Sequence, residues 1–262
     1  MSSSRSLPSG LRPLGRLVQY ANFWRIHDDP SVVVTMDHRM VLPVAWAAAR
    51  QGLFGERPPH LLRLDAHPDI GEKPRPWAYE KSLMTDLDTV LALVNDQRLD
   101  DGGWVIAAMQ LGLARDVLTL FVHDYHRFEG DCGEYSDHEG IAHEMQTFAS
   151  SAALLHLLPK RKRAQFLAQT FGFDTHGQWQ QDPPPLWVDI DLDFATRRRD
   201  DDQISLWTPE DWAEEFAGPA GEFLVQAFRR ASLVTIATEP EFCGGHAAVG
   251  TISEGLKKAF SS

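Results

Sequence analysis

Short apolar runs, each closed by ionisable residues, organise this chain. "SVVVTM" (31–36), "HLLRL" (60–64), "VLTLFV" (117–122), "PLWVDI" (185–190) and "SLVTIA" (232–237) are of strand length and rich in Val, Ile, Leu or aromatics. Between them, helical spacing predicts helices over 41–52, 80–95, 138–158 and 208–230. The last opens with "TPEDW", a Thr cap followed by Pro at the first helical position and acids in the first turn. Strands alternating with helices predict an α/β fold, a three-layer αβα sandwich around a central, mainly parallel sheet. Residues 1–15 read as a flexible lead-in and 16–262 as one domain, with "QDPPP" (181–185) a stiff entry to a strand.

The residues that follow each run carry the chemistry. The first run leads into Asp37-His38 and the second into Asp65-Ala66-His67-Pro68-Asp69. The third leads into His123-Asp124-Tyr125-His126, the fourth into Asp189-Ile190-Asp191-Leu192-Asp193, and the fifth into Glu239-Pro240-Glu241. Asp65, His67 and Asp69 stand at every second position, so an extended chain points all three the same way. In open parallel sheets, ligands bind beyond the carboxyl ends of the strands. Carboxylates gathered there repel one another unless a cation sits among them. Asp and His without Cys form a hard donor set, suited to manganese or magnesium more than to structural zinc. A carboxylate-bridged pair of such ions lowers the pKa of a shared water, which makes hydrolysis the first reaction class to consider.

Composition narrows the partners. The 262 residues carry 25 Lys and Arg against 37 Asp and Glu, a net charge of −12 with pI near 5.3. That balance argues against nucleic acid and acidic membranes and suits a cationic ligand. Cys132 and Cys243 stand far apart in no metal or redox spacing, consistent with a reducing cytoplasm. No run of 18 apolar residues is present, so no transmembrane helix is expected.

Several competing motifs weaken on inspection. "DIDLD" lacks the turn glycine and terminal Glu of an EF-hand loop. His138 and His143 are five apart, where a zincin helix needs four. "DHEGIAHEMQTF" therefore reads as a solvated helix start with at most a minor role at the site mouth. "PKRKR" (159–163) reads as a charged helix surface and "RRRDDD" (197–202) as a self-neutralising loop. Phosphate-cradling glycine loops and a G-x-S-x-G elbow are absent.

Taken together and in order, "MDHR", "LDAHPD" and "VDIDLDFA" resemble the three metal motifs of the arginase/agmatinase ureohydrolase superfamily. The resemblance spans roughly residues 30–245, as islands, and "LDAHPD" is its most specific part. It is nearer to the divergent, compact arginase-like proteins that include peptide arginases. It implies an arginase/deacetylase-like sandwich and two manganese ions (Mn2+) per chain. His38, Asp65, Asp69 and Asp189 would hold one ion, and Asp65, His67, Asp189 and Asp191 the other, with Asp65 and Asp189 bridging. "MDHR" lacks the family's paired glycines, and "DIDLDF" is one residue short of its third Asp. A register using Asp191 and Asp193 therefore stays open.

The resemblance further implies a guanidinium-holding Glu after a late strand, where both Glu239 and Glu241 fit. Glu241, in a constrained Pro-Glu turn, is preferred, while Glu239 better matches the strand end. Asp191, Asp193 or a histidine, with His123 or His126 as shuttle, would move a proton to the leaving nitrogen. The implied activity converts peptidyl arginine to peptidyl ornithine with release of urea, on a ribosomally made, arginine-containing precursor peptide. A ureohydrolase of agmatine or free arginine uses the same chemistry, and a metal-stabilised binder of a basic peptide would use the same acids without turnover. The chain is compatible with a homo-oligomer.

Overall fold

The computed structural model describes residues 31–69, 84–95, 99, 103–122, 133–156, 170–172, 183–198 and 204–261. The five predicted strands form at the expected places: β1 (Ser31–Thr35), β2 (His60–Leu64), β3 (Val117–Leu120), β6 (Leu186–Asp191) and β9 (Leu233–Ala237). With β4 (Gly133–Ser136) and β5 (Ala142–Phe148) they make a seven-stranded sheet in the order β1-β9-β6-β2-β3-β5-β4. All pairings are parallel except that of edge strand β4 with β5. A separate hairpin joins β7 (Thr196–Arg198) to β8 (Ile204–Leu206).

Alternation along the strands divides the core. Val33, Leu61, Val117, Trp187 and Leu233 pack on one face against α1 (Val41–Arg50), α2 (Leu87–Asn95) and α3 (Trp104–Gln110). Val32, Leu62, Leu118, Val188 and Val234 pack on the other against α6 (Gly218–Arg230) and α8 (His246–Ser261), with α4 (Ser151–His156) beside β5. Helices on both faces of a mainly parallel sheet give the three-layer arrangement that the alternation predicts.

The helices differ more from expectation. α1 matches 41–52 closely, whereas the helix expected over 80–95 begins at Leu87, because Asp86 caps it by accepting the Thr89 N–H at 2.8 Å. The stretch 208–230 is two helices, α5 (Pro209–Phe216) and α6, separated where Ala217 is extended and Gly218 adopts a φ of 65°. Thr208 and Asp211 form a reciprocal capping box at the start of α5.

Of the helix expected over 138–158, only Ser151–His156 is helical among the described residues. Asp137 accepts the N–H groups of Glu139 and Ile141, Gly140 takes a φ of 77°, and the chain folds back as the β4–β5 hairpin. His143 is buried at the start of β5, at the opposite end of the sheet from where the parallel strands finish. It has no part in the mouth of the site. Arg197, expected in a self-neutralising loop, lies on β7 and pairs with Asp211 at 2.6 Å. "PKRKR" and the lead-in 1–15 lie outside the described residues. Among the described residues, no helix is long and apolar enough to cross a membrane.

One close approach is testable. A Cβ on Gly221 would fall 1.9 Å from the carbonyl oxygen of Phe216, so α5 and α6 meet only because that side chain is missing. Gly221→Ala is expected to destabilise the protein by about 2–3 kcal/mol, measured as a shift in the urea midpoint at unchanged slope. An unaltered midpoint would show that the helix junction relaxes freely.

Candidate functional site

Strands β1, β9, β6 and β2 are neighbours, so their carboxyl ends deliver side chains to one place. After β1 the chain enters a 3₁₀ turn, His38–Met40, capped by Asp37 accepting the Arg39 N–H at 2.9 Å. That turn drives the His38 imidazole inward. Its Nε2 lies 2.8 Å from Asp189 Oδ2, and its Nδ1 lies 3.0 Å from Asp191 Oδ2 and 3.4 Å from Asp69 Oδ2. The His38 backbone N–H donates to Glu239 Oε1 at 2.9 Å.

Asp65, fully buried at the end of β2, faces two ways. Its Oδ1 accepts the His67 N–H at 2.6 Å and lies 3.8 Å from His67 Nδ1. Its Oδ2 lies 3.7 Å from His38 Nδ1 and accepts from the guanidinium of Arg63. Asp189, on β6 between β9 and β2, accepts the Thr235 hydroxyl on Oδ1 at 2.6 Å, and Thr235 in turn accepts the Trp187 indole N–H at 2.8 Å. β6 stops at Asp191, which caps the 3₁₀ turn Leu192–Ala195 by accepting the Asp193 N–H. The turn swings Asp193 across to β2, where its Oδ2 stands 2.9 Å from His67 Nδ1 and its Oδ1 accepts the Ala66 N–H.

Donor atoms therefore gather in three groups, each within 4.8 Å: His38–Asp65–Asp189, Asp65–His67–Asp193, and His38–Asp191–Glu239. Asp65 is common to the first two. The structure brings His38, Asp65, His67, Asp69, Asp189, Asp191, Asp193 and Glu239 together. It pairs His67 with Asp193 where the resemblance pointed to Asp189 and Asp191. Glu239 points into the centre, whereas Glu241 is exposed on the short helix α7 (Pro240–Cys243) and belongs to none of the three groups. His123 and His126 lie outside the described residues.

Sequence reasoning missed Arg63. It is 0% exposed, two residues before Asp65 on the same face of β2, and in register with Asp189. Its guanidinium donates to Asp65, to Asp69 and to the Pro68 carbonyl at 2.8 Å, and stacks 4.9 Å over the Trp104 ring. Trp104 in turn donates its indole N–H to Asp69 at 3.0 Å. The signal was present: an arginine inside an apolar strand, at the spacing that aims it where Asp65 points.

The electrostatics follow from burial. Burial, then the neighbouring charge of Asp69, hold the Asp65 carboxyl well above the usual range, although Arg63 pulls the other way. Burial and Asp193 push Asp191 up to about 6. Burial opposes the charged form of His38, but Asp189 and Asp191 outweigh it and raise its pKa well above the ordinary value. Asp189 is lowered: burial alone would raise it, and His38 with Arg63 overcome that. The hydrogen bond to Asp193 raises His67. Carboxylates forced upward beside one another, offering oxygen and imidazole donors, fit a hard divalent cation. Cys243 is no ligand: it donates to the Thr238 carbonyl at 3.2 Å, and burial pushes its thiol up.

No protein-family model matches the chain, and neither does any curated protein. Solved structures similar to it include a hypothetical agmatinase from Burkholderia thailandensis (14% identity, 88% of this chain and 59% of that one, TM-score 0.43). Proclavaminate amidino hydrolase from Streptomyces clavuligerus is 14% identical over 88% of this chain and 61% of that one, at a TM-score of 0.45. Arginase from Bacillus caldovelox is 12% identical over 88% and 68%, at 0.44. The chain thus spans about three fifths of the first two.

For an acid whose folded pKa is raised, stability is full below the unfolded value and is lost as pH rises through the folded one. Metal-stripped protein is therefore expected to lose stability between pH about 4 and about 6 through Asp191. Asp191→Asn should flatten that part of the pH profile of thermal unfolding. Identical slopes in the two proteins would show that Asp191 ionises freely.

Proposed function

We propose that the chain is a manganese-dependent hydrolase of guanidino groups that converts peptidyl arginine to peptidyl ornithine and releases urea. One observation carries the reading: Asp65 joins His38 and Asp189 on one side and His67 and Asp193 on the other, at the mouth of the parallel sheet. His38, Asp65 and Asp189, and Asp65, His67 and Asp193, are the residues that would hold divalent cations, manganese being the ion that this oxygen-rich set suits. Such ions supply water of lowered pKa near neutral pH, the nucleophile that a permanently protonated guanidinium requires.

The chain's own residues would do the rest. Glu239, beside His38 and Asp191, offers the carboxylate that accepts the substrate's guanidinium N–H groups. Asp191, grouped with His38 and Glu239 and with its Oδ2 3.0 Å from His38 Nδ1, is placed to take a proton and return it to the leaving nitrogen. The net charge of −12 draws a cationic side chain toward the cluster. His67 stands open at the mouth, 58% exposed, with the ring of Phe242 6.4 Å away and itself 48% exposed. Met36, whose carbonyl accepts the Glu239 N–H, is 41% exposed. A peptide would bring side chains next to its arginine that these rim residues, Met36 and Phe242, would contact, as a free amino acid would not.

Mass spectrometry of manganese-loaded protein with an arginine-containing peptide, and separately with free arginine and agmatine, tests the reading. The peptide is expected to lose the mass of urea less water for each arginine converted, with urea in solution. Turnover of the free compounds alone would transfer the activity to a small guanidino substrate. Urea from none of them would refute the hydrolase. Asp65→Asn is expected to abolish both turnover and the rise in melting temperature that manganese produces in the stripped protein.

A further inference from the structure

We infer that Arg63 is a built-in cation occupying the inner half of the centre, so that the chain holds one divalent ion tightly, at Asp65–His67–Asp193, and a second only weakly. The inference rests on the reading of the cluster as a divalent-cation centre and departs from two equivalent ions.

The two corners are chemically unequal. At the inner corner, Asp65 Oδ2 is already a hydrogen-bond acceptor of the Arg63 guanidinium, as is Asp69 Oδ2, and Arg63 Nε lies 3.6 Å from Asp189 Oδ2. Both nitrogens of His38 are likewise taken up, by Asp189 and Asp191. A divalent ion there must displace a guanidinium from the same oxygens and then sit beside its charge. Arginine cannot discharge itself to make room. It also has nowhere to swing: it is fully buried, lies under the Trp104 ring, and is flanked on the sheet by Asp189 and Thr119. The outer corner carries no such burden. Asp65 Oδ1, His67 Nδ1 and Asp193 Oδ2 turn away from Arg63, and His67 is open to solvent.

Equilibrium dialysis of the metal-stripped full chain against manganese, with the bound ion counted by plasma mass spectrometry, tests this. Wild-type protein is expected to bind one ion tightly and a second at least roughly a hundredfold more weakly, as repulsion by a fixed neighbouring charge requires. Arg63→Met should tighten the second ion at least roughly tenfold, whereas Arg63→Lys, which keeps the charge, should leave it weak. His67→Gln, at the exposed corner, should lose the tight ion. Circular dichroism checks that the variants fold, and if Arg63→Met does not, the wild-type isotherm decides alone. Two ions of equal affinity in wild-type protein, or an unchanged second ion in folded Arg63→Met, overturns the inference and leaves the hydrolase standing. A chain that binds no manganese overturns both.

Discussion

A guanidinium sealed beneath a tryptophan and ringed by carboxylates is the interaction on which this centre depends. An isolated buried charge is costly, and a buried pair is tolerated only when its remaining donors and acceptors are also satisfied. The structure meets most of that demand laterally and leaves Arg63 Nε without a hydrogen bond, 3.6 Å from Asp189 Oδ2. Thr235, Asp189, Arg63 and Thr119 stand side by side across β9, β6, β2 and β3, a polar row inside a face otherwise built of Val, Leu and Trp. The row is held from within and from above: Trp187 donates to Thr235, Thr235 donates to Asp189, and Trp104 holds both Arg63 and Asp69. The helical layer over that face, α3 above all, thus serves two purposes, since Trp104 both fills the core and orients the charges.

Strands were legible because each is a short apolar run, and the place of the centre was legible because five runs end in acids or histidines. Asp65, His67 and Asp69 do reach one centre, but not through the two-residue period that suggested it: β2 ends at Leu64, the chain bends at Ala66–His67, and Asp69 takes a φ of 47°. The register after β6 was not legible either. Asp189, Asp191 and Asp193 share one direction only while the chain is extended, and the strand stops at Asp191. The 3₁₀ turn that follows breaks the period and carries Asp193 to His67. α3 escaped notice because "WVIAAMQ" is buried on all sides and shows no helical stripe. α8 escaped because Gly250 and Gly255 interrupt its pattern. β5 was mistaken for helix because a turn set by the Asp137 side chain and Gly140 lies inside a stretch of good helix formers.

Strain is concentrated at the same edge. Among the described residues, the non-glycine positions with positive φ are Asp69, Phe121 and Glu239, and each follows the end of a strand: β2, β3 and β9. Such conformations persist only where surrounding contacts over-determine them. Glu239 is held by its N–H to the Met36 carbonyl and by the His38 N–H on its carboxylate. Asp69 is held by Trp104 and Arg63. Phe121 packs on Phe194 at 5.3 Å and on Trp207 at 5.3 Å.

That last contact ties the second core to the chemistry. Phe194 immediately follows Asp193, and its ring is clamped among Phe121, Trp207 and Trp212 at 5.2–5.9 Å. The turn carrying Asp193 cannot rotate without dragging this aromatic cluster, whose edge-to-face contacts reward a fixed geometry. The inner corner is therefore rigid because charges bind it, and the outer because aromatic packing behind it does. An ion arriving at Asp65, His67 and Asp193 would meet acids placed by the core and not by one another. Such placement lets mutually repelling groups remain close while the position between them is open to a cation.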